Sequence, residues 1–273
     1  MRKTSLHISF FCLLFSVFCS LLSVPSSAAE RLDWSGIGTT PGRIRLVSRL
    51  EKSLKAYESV RDYKAVFLKQ EKSGDSLGPQ ETIFLKFEKP FKIFMGWMDT
   101  RKKGLQVLYE RGKHDGKLAV HQPGLLLGLA PVIFLDQNSP WVKEGSESYS
   151  IEDAGIGSFL NDFSTAVVRG AKENKLKVDA SGDAQGEALD VTFAGSKEQD
   201  GYFAYRVLVH FDRSTSLPDR MRLFDWQNKL LGAYAYENLR INVGDKDEEF
   251  KRLAQRQLYK FFVPSSRNTP IDK

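Results

Sequence analysis

Gly74-Asp75-Ser76-Leu77-Gly78 is the stretch whose residue types come nearest to catalysis. It matches the G-x-S-x-G pattern of a nucleophile elbow, and its first four letters spell the GDSL hydrolase signature. An elbow holds its serine on a sharp turn between a strand and a helix. A strand pattern, Tyr63 to Gln70, does precede it, but the residues after Pro79 alternate as another strand. GDSL enzymes also place an Asp three residues before a His near the C-terminus, and no histidine of this chain has one. Lys72 to Gln80 therefore reads as a hairpin loop of turn residues.

The other candidates for chemistry are sparse. His114, His121 and His210 stand in no H-x-H, H-E-x-x-H or His/Cys arrangement, so the spacing offers no zinc site. Asp245, Asp247, Glu248 and Glu249 resemble part of a calcium loop. They lack its glycine and its closing glutamate, and acids in the first turn of a helix account for them more simply. No enzyme signature results, and no cofactor is called for.

The N-terminus reads as an export signal. Arg2 and Lys3 are followed by apolar Phe10 to Val24 and then by small residues, Ser27-Ala28-Ala29. This order marks a cleaved signal peptide, shorter than a membrane span of ~20 residues. Both cysteines, Cys12 and Cys19, fall inside it, so the mature chain is expected to lack disulfides and thiol ligands. Losing Arg2 and Lys3 takes the formal charge from +6 to +4, mildly basic and not the footprint of a nucleic-acid binder. The expected compartment is the periplasm.

The elements behind these residues are mostly strands. From Glu81 to Val120, Ile83, Leu85 and Phe87 alternate with polar neighbours. So do Phe91, Ile93, Met95 and Trp97, then Leu105, Val107 and Tyr109, then Leu118 and Val120. Period-2 alternation puts each set on one face of a sheet. The short breaks exclude parallel crossovers, so the stretch reads as an antiparallel meander with one aromatic-rich face.

Around it, Ile44, Val47, Leu50, Leu54, Tyr57 and Val60 recur at helical spacing, with Arg43, Arg45, Arg49, Lys52 and Lys55 on the wet side. Pro123 to Asp136 is nearly all apolar but broken by Gly and Pro, either a buried connector or a lid. Ile151 to Lys172 holds a second helix, with Asp153 as its cap and Ile156, Phe159, Leu160, Phe163 and Val167 as its stripe. Lys172 to Gly186 reads as charged surface. A second meander runs through Leu189–Phe193, Phe203–Phe211, Leu217–Trp226 and Leu230–Val243, and Phe250, Leu253, Ala254 and Leu258 form a short terminal helix. The expected organisation is a signal peptide at 1–29, a flexible lead-in at 30–42, one domain at 43–262 and a tail at 263–273.

A family resemblance rests on particular stretches. YESVRDYKAVFLKQE leads through a loop to ETIFLKFEKPFKIFMGW and GLQVLYERG, and LPDRMRLFDWQNKLLGAYAYENLRINV follows later. These resemble an uncharacterised bacterial exported family akin to the lipoprotein carriers of the LolA/LolB type. The resemblance spans Arg43 to Phe262. KPFKIFMGW is similar to the carriers' strand after an Arg-Pro pair, with Lys89 in place of the arginine. No residue is carried over as a counterpart of the carriers' arginine latch. The resemblance implies an α+β, mainly antiparallel fold, an unclosed β-barrel (half-barrel) with helices over its concave face. It also implies carriage of lipoproteins, their receipt at the outer membrane, or sensing of envelope stress.

Two function classes stay open. One is a non-enzymatic periplasmic protein that binds lipid or lipoprotein acyl chains. The other is an envelope interaction or stress-sensor module with the same fold and a filled core. For the first, the expected hydrophobic cavity is lined by Phe87, Phe91, Ile93, Met95, Trp97, Leu105, Val107 and Tyr109, with Leu126 and Phe134 from the lid. The expected partners are lipid or an acylated protein, with other envelope proteins and transient contact with a membrane surface, and no nucleic acid.

Overall fold

Two alternating meanders meet in one antiparallel sheet. In the computed structural model, which describes residues 32–74, 76–99, 102–123, 132–139, 151–182, 186–244 and 250, the chain runs α1 (Pro41–Glu58), β1 (Asp62–Ser73), β2 (Ser76–Leu77), β3 (Glu81–Glu88), β4 (Lys92–Trp97), β5 (Gln106–Glu110), β6 (Leu118–His121) and β7 (Ile133–Leu135). It continues with α2 (Ile156–Lys172), β8 (Leu176–Gly182), β9 (Gly186–Phe193), β10 (Arg206–Asp212), β11 (Pro218–Phe224) and β12 (Leu230–Ile241). The strand order is β7-β6-β5-β4-β3-β1-β12-β11-β10-β9-β8, with β2 added on β1. Neither end of this path pairs with the other, so the barrel is not closed. The expected signal peptide and the tail at 263–273 lie outside the described residues.

The two halves join where β1 pairs with β12, in register from Tyr63↔Ile241 to Glu71↔Gly232 across one bulge near Ala65. Alternation then sorts the side chains. Tyr63, Phe67, Leu85, Ile93, Val191, Val209 and Phe211 belong to one large core on the concave face. Phe94, Leu108, Ala119, Val132 and Phe250 form a smaller cluster on the convex face of β3–β7. Val66, Leu68, Ala233 and Ala235 form a third, on the convex face of β1 and β12.

Pro41 starts α1 at a position where its missing N–H costs nothing. The helix buries Leu46, Leu50 and Ser53 and packs Val47, Leu54 and Tyr57 on the same core, while Ile44, alone of the expected stripe, is 55% exposed. Its first turn lies close against β8. A Cβ on Gly42 would lie 2.4 Å from the Val178 carbonyl oxygen, and Arg43 donates to the carbonyls of Ile37 and Leu176. Ile37, in the segment expected as a lead-in, is itself buried in the main core.

Gly155, not Asp153, is the N-cap of α2, at φ +112°, a value L side chains rarely adopt. The helix buries Ile156, Leu160, Phe163 and Val167, the expected stripe, while Phe159 is partly buried. Lys172 to Gly186, read as charged surface, contains β8 instead. Leu176 and Val178 face inward between Lys177 and Asp179 and pair with Phe193 and Val191. Both helices pack against β8 and against each other.

Candidate functional site

The register lines up the predicted cavity residues in rows across β3, β4 and β5. Phe87 pairs with Ile93 and Ile93 with Tyr109. Leu85 pairs with Met95, Met95 with Val107, and Val107 with Val120. Ile83 pairs with Trp97. Phe91, at the β3–β4 turn, and Leu105, before β5, pack on the same core. Eight of the ten predicted residues thus share the concave face.

The remaining two differ. Leu126 lies outside the described residues. Phe134 points to the convex face, against the Phe94 cluster and 4.8 Å from the His114 ring. Its neighbours Ile133 and Leu135 take the concave side, because β7 is an edge strand in which Phe134 pairs with Ala119. The apolar stretch expected as connector or lid therefore ends in a strand of the sheet.

Burial falls along the face on β4–β6. The Phe87–Ile93–Tyr109 row is 0–3% exposed and Met95, Trp97, Val107 and Val120 are 8–9% exposed, whereas Leu85 and Ile83 on β3 stay at 0–1%. A chain of rings runs obliquely over the face, from β12 and β1, where Phe67 pairs with Ile83 in the Trp97 row, to Tyr109. Tyr234, Phe67, Tyr236, Tyr63, Phe87, Phe91 and Tyr109 succeed one another with centroids 4.9–6.3 Å apart. Burial pushes the Tyr63 and Tyr236 hydroxyls well above their ordinary pKa and the Tyr57 hydroxyl up to about 12. These tyrosines stay neutral at any physiological pH.

Each end carries a polar clasp that spacing alone did not disclose. At the deep end the Tyr109 hydroxyl donates to Glu152, Arg111 lies 3.3 Å from the same carboxylate, and Arg111 stacks 4.8 Å over Phe91. Burial, then the bond to Glu152, raises the Tyr109 pKa. The Ile156 amide donates to the Tyr63 hydroxyl, which brings the start of α2 to this end. At the other end Trp97 Nε1 donates to Glu81 Oε2 at 3.1 Å and Lys102 Nζ to Glu81 Oε1 at 2.5 Å. The only legible signal for these groups is their place at strand ends beside the apolar runs.

The decoys are resolved by placement. Ser76 sits in the short exposed strand β2, paired to Ser73, and β3 follows it where an elbow needs a helix. His210 pairs with Asp219, with no serine hydroxyl bonded to either. Among the described residues there is no cluster of three or more His, Cys, Asp or Glu able to hold a metal. The acids at 245–249 lie outside the described residues.

A family model described as a protein of unknown function, DUF1571, matches residues 60–261. The chain belongs to the DUF1571 family. No curated protein matches this DUF1571 chain. Among solved structures it is similar to a putative outer membrane lipoprotein-sorting protein domain from Vibrio parahaemolyticus, at 14% identity over 76% of this chain and 98% of that one, with a TM-score of 0.37. It is similar to a LolA superfamily protein from Nitrosomonas europaea, at 10% identity over 75% and 96%, TM-score 0.34. It is also similar to the MucA/MucB complex structure from Pseudomonas aeruginosa, at 14% identity over 80% and 66%, TM-score 0.42. These likenesses are of fold alone. The DUF1571 chain has the expected arrangement, an unclosed antiparallel sheet with two helices among its described residues. No described helix is long and apolar enough to cross a membrane.

Proposed function

We propose that this protein is a non-enzymatic, exported binding protein for lipid or lipoprotein acyl chains, held along the concave face between the Tyr109 row and Trp97. The observation that carries this reading is the gradient on that face along β4–β6, from 0% exposure at Ile93 to 8–9% at Met95, Trp97, Val107 and Val120, while Leu85 and Ile83 beside them on β3 stay at 0–1%. An acyl chain slid along such rows gains ~0.8 kcal/mol for each methylene removed from water. The charged, apolar and small-residue order of residues 2–29 supports work in the periplasm.

A second reading has its own support. Leu85 and Ile93 are 0% exposed in the protein's own packing, as in an interaction module whose core is filled. Titration of a fluorescent fatty acid into wild type, Ile93→Asp and Trp97→Asp separates the two. The acyl-binding reading expects wild type to bind, Ile93→Asp to unfold because an unpaired buried charge is very costly, and Trp97→Asp to fold yet bind weakly. Wild type that binds no acyl probe and carries no lipid through purification from periplasm leaves the filled-core module.

A further inference from the structure

We infer that Trp97, Glu81 and Lys102 form the polar mouth of this slot, and that Lys102 receives the anionic head group, carboxylate or phosphate, of the bound amphiphile. The inference rests on the acyl-binding reading and assigns the direction in which the chain lies. Two features of the face give that direction. The Phe91 end is shut: Glu152 bonds both Tyr109 and Arg111, and the start of α2 reaches Tyr63. Its row, Phe87, Ile93 and Tyr109, is only 0–3% exposed. Along β4–β6 the greater apolar exposure lies toward Trp97, at Met95, Val107 and Val120 as well, so a tail enters there and the head stays there.

The chemistry at Trp97 suits a head group. Glu81 has both carboxylate oxygens engaged, one by the Trp97 indole N–H and one by the Lys102 ammonium. Asp99 accepts the backbone amides of Thr82 and Lys102. Both acids are thus engaged by neighbouring donors. An ammonium has three donors, and Lys102, with a side chain 37% exposed, gives one of them to Glu81. The loop that carries Lys102 is pinned to β4, because the Gly104 amide donates to the Trp97 carbonyl and the Trp97 amide to the Leu105 carbonyl. Lys102 lies 5.8 Å from the Trp97 ring centre. The Trp97 ring therefore stands at the boundary between head and tail, anchored by its N–H and offering its face to the first methylenes.

The test uses the full mature chain and long-chain fatty acids brominated near the carboxyl or near the methyl end. Bromine quenches tryptophan at short range. The near-carboxyl acid is expected to quench wild type more strongly, with the difference lost in Trp97→Phe. The free acid, and the lysophosphatidic acid of the same chain, are expected to bind about tenfold more tightly than the methyl ester, the size of one charge-assisted hydrogen bond. That preference disappears in Lys102→Met and returns in Lys102→Arg. Inorganic phosphate alone does not displace the acid. Acyl binding with no head-group preference, a preference that survives in Lys102→Met, displacement by phosphate, or stronger quenching from the methyl end overturns the inference while leaving acyl binding intact. Wild type that binds none of these chains overturns both.

Discussion

Lys89 caps the C-terminus of α1 through Tyr57. Its ammonium lies 2.7 Å from the Tyr57 carbonyl oxygen, 3.3 Å from that of Glu58 and 4.3 Å from the centre of the Tyr57 ring. Burial holds its pKa below the ordinary lysine value, opposed by the Glu58 charge. One cation thus ties the first helix to the β3–β4 turn, beside the ring chain of the concave face. A cation at a helix C-terminus contributes ~0.3–1 kcal/mol, and stacking on a tyrosine contributes ~0.5–1 kcal/mol. Lys89→Met is expected to lower stability in urea unfolding by about 1–2 kcal/mol, with Lys89→Arg in between.

Gly157 marks the closest approach of the two helices. A Cβ there would lie 2.4–2.5 Å from the Tyr57 ring and hydroxyl, atoms held on one side by the Lys89 contact. Gly157→Ala raises helix propensity yet is expected to destabilise by ~1–3 kcal/mol, because the overpacked ring has to move. A thermal melt that rises on this substitution contradicts the packing described.

Glu173 gives the fold an acid limit. Lys175 first, then Arg169 and Tyr202, bond its carboxylate and hold its pKa at about 2, against an ordinary 4.5. A carboxyl whose folded pKa is depressed contributes stability above the unfolded value and loses it as pH falls through the folded one. Between about pH 4.5 and 2 the wild-type melting temperature is therefore expected to fall more steeply than that of Glu173→Gln. Parallel curves across that window exclude the contribution.

Phe250 seals the convex cluster. It is 1% exposed and lies 4.6 Å from the Lys86 ammonium and 4.2 Å from that of Lys92. Phe250→Ala is expected to cost ~3–5 kcal/mol in chemical denaturation. Because the ring sits behind the sheet, acyl affinity measured below the melting transition should not change.

The concave face is legible because period-2 alternation is a local property: the sets containing Ile93 and Met95 follow from the strand pattern alone, and their alignment into rows follows from the pairing. Phe134 shows where that stops. Alternation says that it opposes Ile133 and Leu135, and only its pairing with Ala119 says which face it takes. Strand β8 was missed because Lys177, Asp179 and Ser181 outweigh Leu176 and Val178 in composition, although the alternation is present. The first turn of α1, from which Ile44 faces outward, meets Leu176 and Val178, more than a hundred positions away in the chain. The clasp between Glu81 and Lys102 spans 21 positions and exists only once β3 and β4 are paired.

The seam between β1 and β12 joins the first and last strands of the sheet, from Tyr63↔Ile241 to Glu71↔Gly232. A chain that emerges from the ribosome N-terminus first presents β1 long before its partner exists. The β3–β7 meander can zip up behind it, but the other flank of β1 stays an unpaired ladder until Ile241 emerges. Closing so long a loop is entropically slow, and an open strand edge invites pairing with other chains. The interval between the release of β1 and the arrival of β12 is thus the period in which this protein is most exposed to aggregation, and a holdase that shields β1 would act in that interval.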